Sequence, residues 1–165
     1  MKLEQFEQAL LTGGQKALRE LGDCRICVVV DWRENAEEIA NAVKAKLPDG
    51  YLHVHRIDPE TVELQCVART LRLRIGETRD TEPVLDSINH LLMPDYEMRI
   101  LKAAIGDGYS LLLRPSRWWK DFEIAYPGRI RKHFITTSER VAQTGTGTPL
   151  DEIPKGKWCQ RLLGR

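Results

Sequence analysis

The sequence predicts an α+β fold: a single, mainly antiparallel sheet of five or six strands, with helices packed chiefly on one face. Three observations carry this. Apolar and polar residues alternate in several short runs, helical periodicity separates some of them, and most connections between neighbouring strands are too short for the crossover that parallel pairing requires. The densest signal runs from Asp95 to Ile135. There Tyr96, Met98 and Ile100 alternate with Glu97, Arg99 and Leu101, Gly106-Asp107-Gly108 reverses the chain, and Tyr109 to Leu113 returns as the second strand of a hairpin. Ser116 stands at an N-cap position after Pro115, and Trp118, Phe122 and Ala125 recur at helical spacing until Pro127-Gly128 stops the run.

The remaining elements follow in chain order. Leu3, Phe6, Ala9, Leu10, Ala17, Leu18 and Leu21 repeat at three and four residues and predict a first helix, interrupted at Gly13-Gly14 and ended by Gly22. Cys24 to Val30 is a nearly continuous β-branched run, the pattern of a central strand covered on both faces. Asn35 or Glu34 opens a second helix whose stripe is Ala36, Ile39, Ala40, Val43 and Leu47, closed by Pro48-Asp49-Gly50. Its crossover from Val30 to Leu52 is long enough to be parallel. Tyr51 to Ile57 alternates, with Leu52, Val54 and Arg56 on one face and Tyr51, His53, His55 and Ile57 on the other. Asp58-Pro59-Glu60 reads as a turn rather than a helix start, because Val62, Leu64, Cys66 and Ala68 keep a period of two. Leu71, Leu73 and Ile75 interleave with Arg72 and Arg74 in a further strand with a cationic face. A third helix starts at Thr81-Glu82-Pro83 and buries Val84, Leu85, Ile88, Leu91 and Leu92, with Pro94 beyond its end.

With 165 residues, one domain suffices, since a chain of this size buries about 70% of its unfolded surface. The predicted organisation is one α+β domain over residues 1–135, a flexible Thr/Gly-rich linker over 136–149 and a C-terminal tail over 150–165 that carries Ile153, Trp158, Leu162 and Leu163. Charged residues make up 30% but the net charge is only +1, so any charged partner must be read from the distribution of charge. The first residues lack an export pattern, no apolar run approaches the ~20 residues of a membrane span, and the four cysteines are too unevenly placed for a disulfide scaffold. A cytoplasmic location with no membrane partner is expected.

Enzymatic signatures are sparse. The sequence contains no Walker loop, no GxGxxG after a strand, no GxSxG elbow and no HExxH. Cys24 and Cys27 form a CxxC, but in an extended strand they point to opposite faces and read as buried small side chains. His53 and His55 share a strand face without a third ligand at metal spacing. His133 reads as part of a basic surface and His90 as a surface or boundary residue of the third helix. Asp31, at the end of an apolar strand, is the best-placed carboxylate for catalysis, although Glu34, Glu37 and Glu38 read as the solvated first turn of a helix. No cofactor and no metal are expected.

The stronger signal is cationic and aromatic. Arg114, Arg117, Lys120, Arg129, Arg131 and Lys132 surround Trp118, Trp119 and Tyr126, and Arg72 and Arg74 line another face. Arg and Trp are the side chains best suited to anchor an interface, and also suit phosphates and stacked bases. The order of features from Asp95 to Ile135, a hairpin with an Asp/Gly turn, a Trp-bearing helix, a Pro-Gly stop and a basic-aromatic ending, resembles the C-terminal part of some bacterial toxin immunity proteins. The resemblance implies a cytosolic, non-enzymatic binder that blocks a toxin by surface complementarity. The expected partner is therefore another protein, gripped by Arg72, Arg74, Arg114, Arg117, Trp119, Lys120 and Arg131. The alternatives are a nucleic-acid-associated protein using the same surface, and a small metal-dependent hydrolase or nuclease centred on Asp31 with His53 and His55.

Overall fold

The computed structural model describes residues 3–12, 18, 26–75 and 81–145. Its elements are α1 (Leu3–Thr12), β1 (Cys27–Asp31), α2 (Ala36–Lys44), β2 (Leu52–Asp58), β3 (Thr61–Cys66), β4 (Arg69–Arg74), α3 (Thr81–Leu92), β5 (Tyr96–Leu101), β6 (Gly108–Pro115), α4 (Ser116–Ala125), α5 (Arg129–His133), β7 (Phe134–Thr136) and α6 (Thr137–Thr144). The fold is α+β, but the strands form two antiparallel sheets instead of one. A four-stranded sheet has the order β1-β6-β5-β7, and a three-stranded meander has the order β2-β3-β4.

The helices correct the one-sided arrangement as well. Val28, Val30, Met98, Ile100, Leu111, Leu113 and Ile135 face α2, α3 and the inner side of the meander in one core. Cys27, Leu101, Leu112 and Phe134 point the other way and meet Leu10 of α1, Trp119 and Phe122 of α4 and Ile130 of α5 in a second core. Because α2 and α3 contact strands of both sheets, they form the layer between them. The stack therefore reads α1/α4/α5, four-stranded sheet, α2/α3, three-stranded sheet. The hairpin explains the difference: β6 buries successive residues from Tyr109 to Leu113, so both its faces need cover.

The local chemistry matches its conformations. Asn35 caps α2 by accepting from the backbone of Glu37 and Glu38, and the Glu38 carboxylate accepts from the Asn35 N–H, a complete capping box. A Cβ at Gly108 would collide with the carbonyl oxygen of Val30, so glycine is what lets β6 close against the end of β1, where Gly108 pairs with Asp31. The Asp58–Glu60 segment turns as expected, but the strand after it ends at Cys66: Val67 takes φ 53°, an unusual conformation for a β-branched residue, and starts the turn into β4.

Two further expectations change. The run expected to be central, Cys24 to Val30, is observed as β1 from Cys27, and it is an edge strand whose Val29 is exposed; Cys24 lies outside the described residues. The segment expected to be a linker from residue 136 is ordered through α6. Thr136 caps it with a second capping box, Thr137 is buried, and Gly145 ends it in the left-handed conformation. Residues 146–165, including the expected tail, lie outside the described residues. None of the helices among the described residues is long and apolar enough to cross a membrane.

Asn89 holds three of these pieces together. Buried in α3, it accepts from the Met98 N–H of β5 at 2.7 Å and donates to the Thr137 hydroxyl of α6 at 3.1 Å. Thr137 in turn donates to Asp86 at 2.7 Å. Replacing Asn89 with Ala strands a buried backbone N–H as well as removing two bonds, so urea unfolding of Asn89→Ala is expected to show a loss of about 2–4 kcal/mol. Thr137→Val, which leaves the Met98 bond in place, should cost less.

Candidate functional site

Helix α4 separates the cationic and aromatic residues into an inner and an outer set. Its first turn follows β6 directly, with the Ser116 N–H donating to the Asp95 carbonyl at 2.9 Å. Ser116 is the first helical residue and gives no side-chain cap, so the N-cap position belongs to Pro115. Trp118, Trp119 and Phe122 turn inward. Trp119 is only 1% exposed, its indole N–H donates to the Glu97 carbonyl at 3.0 Å, and the Arg99 guanidinium sits 4.8 Å over its ring. Trp118 donates to the Glu7 carboxylate of α1 at 3.0 Å and stacks on Phe122.

This overturns one expected interface residue outright: Trp119 is a core side chain tied to β5. Arg114 is half-buried beneath α4, where burial lowers its pKa against the opposing pull of Cys27 and Glu7, and its Nε lacks a partner among the described residues. Arg72 and Arg74 are exposed, but on the outer side of the three-stranded sheet, with Arg72 bonded to Glu63 at 2.8 Å. That sheet and α4 lie at opposite ends of the layer stack, so the seven expected residues do not form one surface.

What the fold does bring together is a smaller corner. Arg117, Lys120 and Ile124 recur at three and four residues on the outward stripe of α4, and Arg117 pairs with Asp121 at 3.4 Å. After the Pro127-Gly128 stop, α5 adds exposed Arg129, Arg131 and Lys132 beside exposed Tyr126. The turn is fixed by Gly128 in the left-handed conformation and by its N–H donating to Glu123 at 2.9 Å. Ile124 is 78% exposed on the same stripe as Arg117 and Lys120, and Tyr126 is 43% exposed with its ring 5.0 Å from that of Phe122. Ile124 had a signal in the sequence: it stands four residues from Lys120 and seven from Arg117, out of phase with Trp118 and Phe122.

The enzyme candidates stay apart. Asp31 is exposed at the end of β1, where its carboxylate accepts from the Arg33 N–H at 2.9 Å in a local turn. His53 and His55 project from the outer side of β2, and His53 borders a shallow open groove with Tyr51, Gln65 and Val67. Among the described residues no three His, Cys, Asp or Glu side chains are grouped to hold a metal ion. Tyr109, Glu82 and Arg140 do converge: the Tyr109 hydroxyl donates to Glu82, and Arg140 Nη2 donates to that hydroxyl at 3.2 Å. Burial and Glu82 raise the Tyr109 pKa, and the cluster fastens α6 to α3 and β6.

No family model matches this chain, and neither a curated protein nor a solved structure shows significant similarity to it.

His133, expected on the basic surface, is instead buried where α5 meets α1. Burial lowers its pKa, neighbouring Lys132, Arg129 and Lys102 lower it further, and a hydrogen bond to the Leu10 backbone opposes them. The unfolded imidazole takes up a proton near its ordinary value of 6.5 while the folded one does so only at lower pH. In that window the unfolded chain binds more protons, so stability falls as pH drops below about 6.5. Urea unfolding between about pH 5 and 7 should show this slope in the parent chain and a shallower one in His133→Asn.

Proposed function

We propose that this chain is a non-enzymatic protein-binding module, an inhibitor of the immunity-protein type, that grips an acidic surface of a partner toxin or enzyme with its α4–α5 corner. The observation that carries the reading is Ile124. It is the most exposed large hydrophobic side chain among the described residues, and it sits on a helix whose other large apolar residues, Trp118, Trp119 and Phe122, are turned to the core. An outward isoleucine gives the fold nothing, whereas an apolar anchor on the same stripe as Arg117 and Lys120 has the make-up of a protein interface centre with its polar rim. The contact residues in this reading are Arg117, Lys120, Ile124, Tyr126, Arg129 and Arg131.

The nucleic-acid alternative draws less support. Single-stranded nucleic acid needs aromatic faces for stacking, and Trp118 and Trp119 are engaged inside the protein, leaving Tyr126 alone at this corner. The order of hairpin, Trp-bearing helix, Pro-Gly stop and basic ending in the sequence is the feature that resembles the immunity proteins.

Affinity capture from the native host with the parent chain, Ile124→Asp and the pair Lys120→Glu/Arg129→Glu tests it. A protein retained by the parent should be lost at least about tenfold with either variant. Both variants should unfold within about 0.5 kcal/mol of the parent, as surface substitutions do. Retention abolished by nuclease, with binding that weakens steeply as salt rises, would replace the protein partner with a nucleic acid.

A further inference from the structure

We propose that the groove between the turn at residues 48–51 and the β3–β4 loop is a binding site for a small, uncharged planar heterocycle, a nucleobase or nucleoside. The proposal does not depend on the α4–α5 corner.

The groove has a volume of about 390 Å³, at the small end of the range for ligand sites. Part of its lining is the turn that leads from α2 into β2, where the Tyr51 N–H donates to the Pro48 carbonyl at 3.0 Å and Gly50 takes φ 77°, a conformation that favours glycine. Tyr51 is held in place: its hydroxyl donates to Asp95 at 2.9 Å, and its ring makes a T-shaped contact with Tyr96 at 4.8 Å. His53 of β2 and Gln65 of β3, a directly opposed pair on the outer side of the sheet, add a polar stretch. Val67 completes the lining from the β3–β4 loop.

Val67 is the residue that folding does not explain. It is the first of the two residues that link the paired Cys66 and Arg69, a position where two-residue hairpin loops place glycine or asparagine. A β-branched side chain is strained there at φ 53°, and Val67 is also 70% exposed, so neither the turn nor burial accounts for a valine. An apolar contact with a ligand in the groove does.

The polar lining sets the class of ligand. The side chains of Asp49, His53 and Gln65 make no hydrogen bond or ion pair with another described residue, whereas Arg72 and Glu63 on the same sheet are bonded to each other. The Gln65 amide offers a donor and an acceptor side by side, the pattern that reads the edge of a base such as adenine. The Tyr51 and His53 rings offer flat surfaces to a planar ligand, and the Asp49 carboxylate can accept from hydroxyls such as those of a ribose. Neither Lys nor Arg lines the groove, and with a carboxylate present a phosphate is disfavoured. The chemistry therefore fits the base or nucleoside rather than the nucleotide.

Amide NMR spectra of the full chain, titrated with adenosine, guanosine, cytidine and uridine to about 5 mM, test the site. At least one nucleoside should shift the amides of 49–53 and 65–69, with a Kd of about 0.1–1 mM because one side of the groove is open to water. Its 5′-monophosphate should bind at least about tenfold more weakly, and Gln65→Ala should weaken nucleoside binding by a similar factor of about ten. Val67→Asn should also weaken binding about tenfold and yet raise the urea midpoint, since asparagine tolerates the left-handed conformation but removes the apolar contact. Three results would overturn the proposal. One is the absence of localised shifts with all four nucleosides. Another is a monophosphate that binds as tightly as its nucleoside, which assigns the shifts to a phosphate-bearing ligand. The third is a Val67→Asn chain that keeps its affinity or unfolds at lower urea, which makes Val67 a structural residue.

Discussion

Burial of both faces of the β5–β6 pair is the constraint on which the rest of the molecule depends. Met98, Ile100, Leu111 and Leu113 need an apolar layer on one side, and Leu101 and Leu112 need another on the opposite side. Each such side chain contributes roughly 1.5–3 kcal/mol when removed from water, so neither face can be left wet. The α2/α3 layer answers the first need, and α1, α4 and α5 the second. Once α4 is committed to the second layer its inner stripe must be apolar, and Trp119, locked to β5 through Glu97 and Arg99, fills that stripe.

That commitment divides the basic-aromatic segment between fold and surface. The two indoles nearest the sheet become core, Arg114 is drawn half inside, and the outward stripe of α4 with α5 is left to carry the cations and Ile124. The proposed contact surface is thus what remains after the helix has met its structural obligations.

Most elements could be read from the sequence because their signals were local. Alternation marked β2, β3 and β5, the stripe Ala36-Ile39-Ala40-Val43 marked α2, and the Asp/Gly turn marked the hairpin. Helix α6 was hidden because Thr136 and Glu139, its capping box, sit in a run of Thr and Ser that reads as loop until the reciprocal bonds are seen. Grouping the strands into two sheets depends on which helices lie between them, and periodicity within a segment carries no such information. The candidate site was half visible for the same reason. Its cations could be counted in the sequence, but the phase of α4 decides which aromatic residues are available, and Trp118 and Trp119, adjacent in sequence, both turn inward to meet different partners. Arg72 and Arg74 had the right chemistry at the far end of the stack.

Equilibrium urea unfolding of Leu112→Ala tests the two-sided sheet most directly, because Leu112 points away from the α2/α3 core. Buried in the second core, it should cost about 2–5 kcal/mol when truncated, comparable to Leu111→Ala on the opposite face. A loss below about 0.5 kcal/mol, the behaviour of a solvated sheet face, would contradict the layered arrangement and with it the assignment of α4's inner and outer residues.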